Sequence, residues 1–269
     1  MKKIAILLSC MHQKDAAIVG RSGIETDVVV VNQCDEDSVQ QSTFTNSRGE
    51  ECQLRFVKTT ERGLSRSRNR AIAESDAEIC VVCDDDEQFL PSYAHIISQA
   101  YDAHPEADVI AFRIDGAGKT YPSREKRVGY LGALRIWSLQ ITFRRQAVVS
   151  VGIRFDEEMG SGTGHGGGEE NAFLYSCLRH GLKIHYVPQT IAALDEKSAS
   201  QWFDGFTEKF FLNRGWQTER YMGKASATLY ALYYTVSKHS LYRTDCTFLK
   251  ALKNMLIGIY KKNLYREAQ

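Results

Sequence analysis

The sequence of 269 residues lacks the marks of several large protein classes. No apolar run reaches the roughly 20 residues that a membrane-spanning helix needs, and neither an internal repeat nor a low-complexity tract is visible. The net charge of +1 gives no general attraction to nucleic acid, so we expect no nucleic-acid partner. The seven cysteines are scattered and odd in number, which fits a reducing cytosol best.

The chain does contain an alternation of apolar, strand-like runs with helix signals. Strands are predicted at 4–8, 28–31, 54–57, 79–83, 109–112, 137–143 and 183–187, the last ended by Pro188. Helices are predicted at 65–75, 91–103, 169–180, 225–236 and 247–260, and the aromatic residues 202, 203, 206, 210 and 211 also fall at helical spacings. This order favours an α/β fold with a parallel sheet that is covered on both faces. Ligands of such sheets bind beyond the carboxyl ends of the strands.

The most informative segment is VVCDDDE at 81–87, where an apolar run leads directly into four acidic residues. Residues two apart in a strand share a face, so Asp84 and Asp86 should point the same way at the strand end. Two converging carboxylates suit an oxygen-binding cation such as Mg²⁺ or Mn²⁺, which usually holds a diphosphate. The alternative is a solvated acidic turn that merely ends a strand.

A basic segment, GLSRSRNR at 63–70, precedes this strand. Gly63 permits a tight turn, and Ser65 can cap the helix that follows. Arginines in that first turn can donate to a phosphate or to the acidic run. The alternative interpretation is that the segment is an exposed basic helix face.

A second acidic segment, GEEN at 168–171, stands at the start of a predicted helix and follows a loop with six glycines at 160–168. Glu170 shares a helical face with Phe173 and Leu174, so we predict that it points inward and that Glu169 lies further round. A carboxylate at a helix N-terminus stays ionised and can act as a general base. The alternative is simple compensation of the helix dipole. We expect the glycine loop to be mobile.

Taken in order, these segments resemble an inverting glycosyltransferase of family 2, of the kind found in bacterial polysaccharide synthesis. The resemblance covers about residues 1–215 and rests on LSCM at 8–11, VNQCD at 31–35, GLSRSRNRAI at 63–72, DDDEQFLP at 84–91 and GEENAFL at 168–174. It implies the GT-A fold, a Rossmann-like nucleotide-diphospho-sugar transferase with a mixed, mainly parallel sheet and flanking helices. A catalytic domain at 1–215 would be followed by a C-terminal helical extension at 216–269.

The resemblance also implies roles for individual residues. Asp84 would contact the sugar of the nucleotide, Asp86 would ligate Mn²⁺ or Mg²⁺, and Glu170 would be the catalytic base. Gln33 stands where the family often has an aspartate that reads uracil, and because an amide can also bond uracil, a UDP-sugar remains the expected donor. Glu169 and His165 are accessory candidates. The implied nucleotide-sugar-binding set is Ser9, Gln33, Asp35, Arg68, Asn69, Asp84 and Asp85.

The expected acceptor is a hydroxyl of a saccharide or of a lipid-linked saccharide, in cell-surface polysaccharide synthesis. The tail at 243–269 carries six Lys and Arg against two Asp and Glu, and its predicted helix has an apolar side formed by Leu249, Leu252, Leu256 and Ile259. This helix either lies on anionic lipid or packs with a solvated face. We expect a cytoplasmic protein with peripheral contact to the inner face of the cell membrane through 243–269.

Two alternative functions remain open at this point. A sugar nucleotidyltransferase also places carboxylates and a metal at a sheet edge, but it normally carries a glycine-rich loop directly after the first strand, and residues 9–13 contain no glycine. The second alternative is a non-catalytic nucleotide-sugar-binding protein.

Overall fold

The computed structural model describes residues 2–116, 118–194 and 205–261. The chain divides into two compact units, the first made from residues up to 157 together with 169–199, and the second from 158–168 together with 200–269. The boundary expected at 215/216 falls inside a helix of the second unit. In the described residues, no helix is both long enough and apolar enough to cross a bilayer.

The first unit contains a mixed sheet and most of the shorter helices. Its strands are β1 (Ile4–Met11), β2 (Asp27–Gln33), β3 (Ser38–Thr45), β4 (Glu51–Thr59), β5 (Ile79–Asp84), β6 (Glu87–Phe89), β7 (Val109–Asp115), β8 (Lys126–Val128), β9 (Ile141–Arg144) and β10 (Ile184–Leu194). Its helices are α1 (Ile18–Arg21), α2 (Leu64–Glu74), α3 (Tyr93–Ala103), α4 (Tyr130–Ala133), α5 (Arg145–Ser150) and α6 (Glu169–Arg179), with a 3₁₀ turn at Ser138–Gln140.

The strands lie in the order β3-β4-β2-β1-β5-β9-β7-β10-β6, and β8 pairs with β10. Six of the ten strands in the described chain point the same way, because β1, β2, β4 and β5 form one parallel group and β7 and β10 another. Strand β9 runs antiparallel between the two groups. The predicted mixed, mainly parallel sheet is confirmed.

Helices cover both faces of this sheet, as the apolar strands require. Even-numbered β1 residues such as Ile6 and Leu8 share a buried cluster with Ile97 of α3. On the other face, Ser67 of α2 donates a hydrogen bond to Ser9 of β1 at 2.9 Å. Serine and alanine side chains on α2 let the helix approach the sheet closely.

Two strand predictions were wrong in part. Strand β10 does not stop at Pro188 but continues to Leu194, because its pairing with β7 is irregular between Tyr186 and Thr190, where a proline removes no ladder hydrogen bond. The strand expected at 137–143 begins only at Ile141, after the 3₁₀ turn. Strand β3 was not predicted, since its polar, exposed residues carry no apolar pattern.

The second unit is helical and contains α7 (Glu208–Met222), α8 (Lys224–Ser237), α9 (His239–Tyr242) and α10 (Phe248–Tyr260). Helices α7 and α10 are in close contact at Gly258. A Cβ added at this glycine would lie only 2.0 Å from the carbonyl oxygen of Leu212. Ile259, one of the four residues predicted to form the apolar side of this helix, is fully buried in the core of this unit. The aromatic residues at 202 and 203, also predicted to be helical, lie outside the described residues.

Candidate active site

The carboxyl ends of β1, β2 and β5 meet at one edge of the sheet. In the parallel register Ser9 lies opposite Asp84, and Met11 lies opposite Gln33. The acidic run therefore follows β5 beside the polar ends of β1 and β2, where ligands of such sheets bind.

At this edge a fully buried arginine joins the two acidic segments that the sequence analysis singled out. Arg68 Nη2 donates to both carboxylate oxygens of Asp84, at 2.9 and 3.1 Å. Arg68 Nη1 donates to Glu169 Oε1 at 2.8 Å. The start of α6 is thereby tied to the end of β5 through a side chain of α2.

The electrostatics of this cluster follow from its burial. Burial disfavours the charge on Arg68, but the carboxylates of Asp84 and Glu169 outweigh it and raise the arginine's pKa above its usual value. The guanidinium also lies over the ring of Phe155, 5.4 Å from its centroid. Within the described chain, Arg68 Nε and Glu169 Oε2 have no hydrogen-bond partner. A buried charge of this kind persists only while it is paired.

The two glutamates at the start of α6 differ from the sequence expectation. Glu169, which was expected further round the helix, is buried with 4% of its surface exposed, whereas Glu170 is half-buried. The reason is the ion pair with Arg68, which draws the first glutamate inward. The charge of Glu170 still acts on both Arg68 and Lys119. Its assignment as the base stays a prediction.

The turn after β5 concentrates negative charge. Although Asp85 is exposed, partial desolvation and the neighbouring Asp84 and Asp86 raise its pKa. Burial, followed by the charge of Asp84, raises the pKa of Glu87 well above its usual value. Glu87 Oε2 accepts from the backbone N–H of Asp84 at 3.1 Å. Glu87 therefore shapes the turn.

These residues fit a hard divalent cation. The donor set on the turn is entirely oxygen, from Asp84, Asp85 and the half-buried Asp86. After desolvation, the charges of Asp84 and Asp86 raise the pKa of Asp85, and a divalent cation would relieve this repulsion. Arg68 holds Asp84 from within the fold, and the assignment of Asp86 as the metal ligand stays a prediction.

The other predicted donor-site residues take different positions. Gln33 is buried and its Oε1 accepts from the backbone N–H of Gly63 at 2.8 Å, so it shapes the turn into α2. Asp35 is exposed and pairs with Arg62 at 2.6 Å. Asn69 bonds the backbone of Phe155 in both directions, at 2.9 and 2.8 Å, and so holds the segment at 155–157.

His165 lies in the second unit. Its ring stacks on Trp216 with 3.7 Å between centroids, and its Nδ1 is 3.0 Å from Asn213 Oδ1. Burial lowers its pKa. Gln217 Nε2 donates to the carbonyls of Gly166 and Gly167, each at 2.7 Å, so α7 holds the end of the glycine loop.

Lys119 was not among the predicted site residues. Its ammonium lies 4.2 Å from the centroid of Trp137, donates to Gln140 Oε1 at 2.9 Å and also bonds the carbonyl of Arg135. Burial lowers its pKa to about 8, partly offset by the nearby charge of Glu170. No local motif predicts this, because the residues come together only through the fold.

Comparisons with known proteins agree with this fold. The sequence profile of Glycosyl transferase family 2 matches residues 6–162. No curated protein matches the chain in sequence.

Solved structures share the fold at low identity. S. aureus TarS 1-349 in complex with UDP-GlcNAc is 14% identical, with a TM-score of 0.62 over 96% of this chain and 81% of that one. The mannosyltransferase PcManGT from Pyrobaculum calidifontis, in complex with GDP-Man and Mn2+, is 13% identical, with a TM-score of 0.54 over 97% of this chain and 88% of that one. The predicted GT-A fold is confirmed, and a transferase is favoured over a nucleotidyltransferase or a non-catalytic binding protein.

Proposed function

Because the chain belongs to glycosyltransferase family 2, whose members transfer sugars from nucleotide-sugar donors, we propose that it is a metal-dependent, inverting transferase of a UDP-sugar. The observation that carries this proposal is the ion-pair bridge from Asp84 through Arg68 to Glu169. It holds the acidic turn and the glutamate pair of α6 at one place. Donor binding and acceptor activation need those two groups of carboxylates on either side of one reacting carbon.

In this proposal Asp86 holds a divalent cation, Mn²⁺ or Mg²⁺, and Asp84, oriented by Arg68, binds the sugar of the nucleotide. The cation supplies charge neutralisation for the departing nucleotide diphosphate. Glu170 takes the proton from an acceptor hydroxyl, and the helix dipole at the start of α6 helps to keep that carboxylate ionised beforehand.

The acceptor oxygen then attacks the anomeric carbon from the face opposite the diphosphate. The new bond joins that oxygen to the anomeric carbon, the bond to the diphosphate oxygen breaks, and the configuration inverts. Ser9, Gln33 and Asp35 lie at or just beyond the ends of β1 and β2, where the nucleoside would bind.

The structural neighbours and the family guide the choice of donor and acceptor. The structural neighbours carry UDP-GlcNAc, UDP or GDP-Man, so UDP-GlcNAc is the first donor to test and GDP-Man the second. We propose a saccharide or lipid-linked saccharide acceptor in cell-surface polysaccharide synthesis.

A nucleotide-sugar panel tests the proposal. Each donor is added with and without Mn²⁺, and thermal unfolding and released nucleotide are measured. We expect one UDP-sugar to raise the unfolding temperature and to be turned over only with the cation. Absence of binding by every nucleotide sugar at saturating Mn²⁺ would refute the proposal.

We also propose peripheral contact with anionic membrane through α10. Leu249 and Tyr260 are 75% and 54% exposed, and they lie beside Lys253 and Lys261 along an apolar groove. Because Met255 and other residues of α10 belong to the core of the second unit, deleting the helix would unfold that unit.

Point variants test the membrane contact without that loss. We expect Leu249→Gln to weaken co-sedimentation with phosphatidylglycerol vesicles, while binding to phosphatidylcholine vesicles stays low for both proteins. Equal binding of the variant and the wild type would refute the proposed membrane contact.

A further inference from the structure

A group of metal-ligating side chains lies at the sheet edge opposite the proposed donor site. His104 and Glu106 stand in the turn between α3 and β7, and His185 is the second residue of β10. Strands β7 and β10 run parallel to β5, so these amino-terminal ends lie away from Asp84. The group takes no part in the proposed transfer.

The atoms have the spacing of a metal site. His185 Nε2 lies 3.2 Å from Glu106 Oε1, and His104 Nδ1 lies 3.9 Å from the same oxygen. One ligand atom from each of the three residues lies within 4.8 Å of the others. Tetrahedral Zn²⁺ with bonds near 2.1 Å separates its ligand atoms by about 3.4 Å, a value between the two distances measured.

A fourth residue fixes the orientation of one imidazole. Glu125, directly before β8, has Oε2 3.1 Å from His104 Nε2. When this carboxylate accepts the Nε2–H, the lone pair of His104 is on Nδ1, which faces Glu106. A carboxylate on the far nitrogen is the usual outer partner of a metal-binding histidine.

The ligand types of these three residues indicate a transition metal of intermediate softness. Two imidazole nitrogens and one carboxylate oxygen match zinc ligand sets, whereas the all-oxygen turn at Asp86 matches Mg²⁺ or Mn²⁺. The imidazoles are mostly enclosed, with side chains 19% and 15% exposed, and Glu106, at 43%, leaves an open side for a water ligand. Lys183 and Arg127 also act electrostatically on Glu106 and His185, which favours moderate affinity.

We propose that His104, Glu106 and His185 bind one Zn²⁺, with Glu125 as the residue that positions His104. Strand β8 pairs with β10 at Arg127 and His185. The ion therefore ties together the turn after α3, the segment before β8 and the start of β10. The site is independent of the donor site and of its metal.

The test uses full-length, chelator-treated protein with Cys34→Ser as background, because Cys34 is the one cysteine of the seven that is not buried. Zn²⁺ is titrated against a chromophoric chelator, and Co²⁺ is titrated with its visible absorption as the readout. We expect one equivalent of each ion to bind, with the intense absorption of a tetrahedral cobalt site.

Variants identify the ligands. We expect His104→Ala and His185→Ala to abolish this equivalent, and Glu125→Gln to weaken it about 10–100-fold. His180→Ala and Asp86→Ala should leave it unchanged, since His180 is exposed and bonds the carbonyl of Ser176 at 2.8 Å.

Thermal unfolding shows whether each variant is folded. In chelator, His185→Ala and the parent should unfold at similar temperatures, and added Zn²⁺ should raise that temperature only in the parent. Where a histidine variant fails to fold, zinc binding by the Glu125→Gln variant, whose substitution is at an exposed residue, tests the proposal instead. Zinc binding that is unchanged in Glu125→Gln and in the folded histidine variants, or that is lost in Asp86→Ala alone, would overturn the proposal.

Discussion

Replacing Arg68 by methionine tests the central ion-pair bridge, because it keeps much of the side-chain volume and removes the charge together with its hydrogen bonds. The variant leaves Glu169 buried beside an apolar group and Asp84 without its two hydrogen bonds. Loss of one partner of a buried pair costs about 3–5 kcal/mol. We expect the free energy of unfolding of the first unit to fall by that amount at pH 8.

The pH dependence identifies the cause of this loss. Without Arg68 the charge of Glu169 is buried and unpaired, and protonation removes that cost, so stability falls as pH rises. One proton taken up on folding gives a slope of about 1.4 kcal/mol per pH unit. The cost of Arg68→Met should therefore be smaller at pH 5.5 than at pH 8, and Arg68→Met/Glu169→Gln should recover part of it.

Buried thiols supply the assay. Cys10, Cys80 and Cys177 are buried in the first unit, and Cys246 in the second. Protein equilibrated in urea at either pH receives a short thiol-labelling pulse at one fixed pH, and labelled peptides are measured by mass spectrometry. A loss below about 1 kcal/mol with no pH dependence would refute the reasoning, since breaking a buried pair costs more than that.

Two further predictions concern the helical unit and the environment of Glu170. Gly258→Ala should lower the free energy of unfolding of the second unit by roughly 1–3 kcal/mol, because its Cβ would overlap the carbonyl of Leu212. Gly20→Ala, in the first unit, has open space and should leave the stability of that unit nearly unchanged. Thiol labelling in urea measures each unit through its own buried cysteines, and losses of equal size would contradict the close packing. Lys119 should react with acetic anhydride with a midpoint near pH 8, and Glu170→Gln should lower that midpoint by removing a charge that raises the lysine's pKa. A midpoint near 10.5, or no shift in the variant, would contradict this electrostatic interaction.

The sequence predicted the elements that carry continuous patterns. The apolar run of β5, the helix that begins at Glu169 and its end at Gly181, which has a φ of 80°, are found within a residue or two of their predicted places. Strand β3 was missed because an exposed edge strand needs no apolar residues. Pro188 ended the predicted strand too early because a local pattern cannot show where the ladder is interrupted.

The arrangement of the candidate site was harder to predict, because it depends on contacts across long sequence separations. Arg68 and Glu169 are 101 residues apart, and helical spacing alone gave the wrong choice of inward-pointing glutamate. His104 and His185 likewise meet only because β7 and β10 are neighbours. Ion pairs that form only in the folded chain determine where these side chains lie, and the periodicity of the sequence does not reveal such pairs.

The most direct test of the account measures nucleotide released from the preferred donor with Mn²⁺, for the wild type, Asp86→Ala and Glu170→Gln. The account predicts that both variants unfold at the wild-type temperature, and that Glu170→Gln loses about 10²–10⁴-fold in rate as expected for a general base. Asp86→Ala should lose turnover and its response to Mn²⁺. Turnover near the wild-type rate in either folded variant would contradict the account.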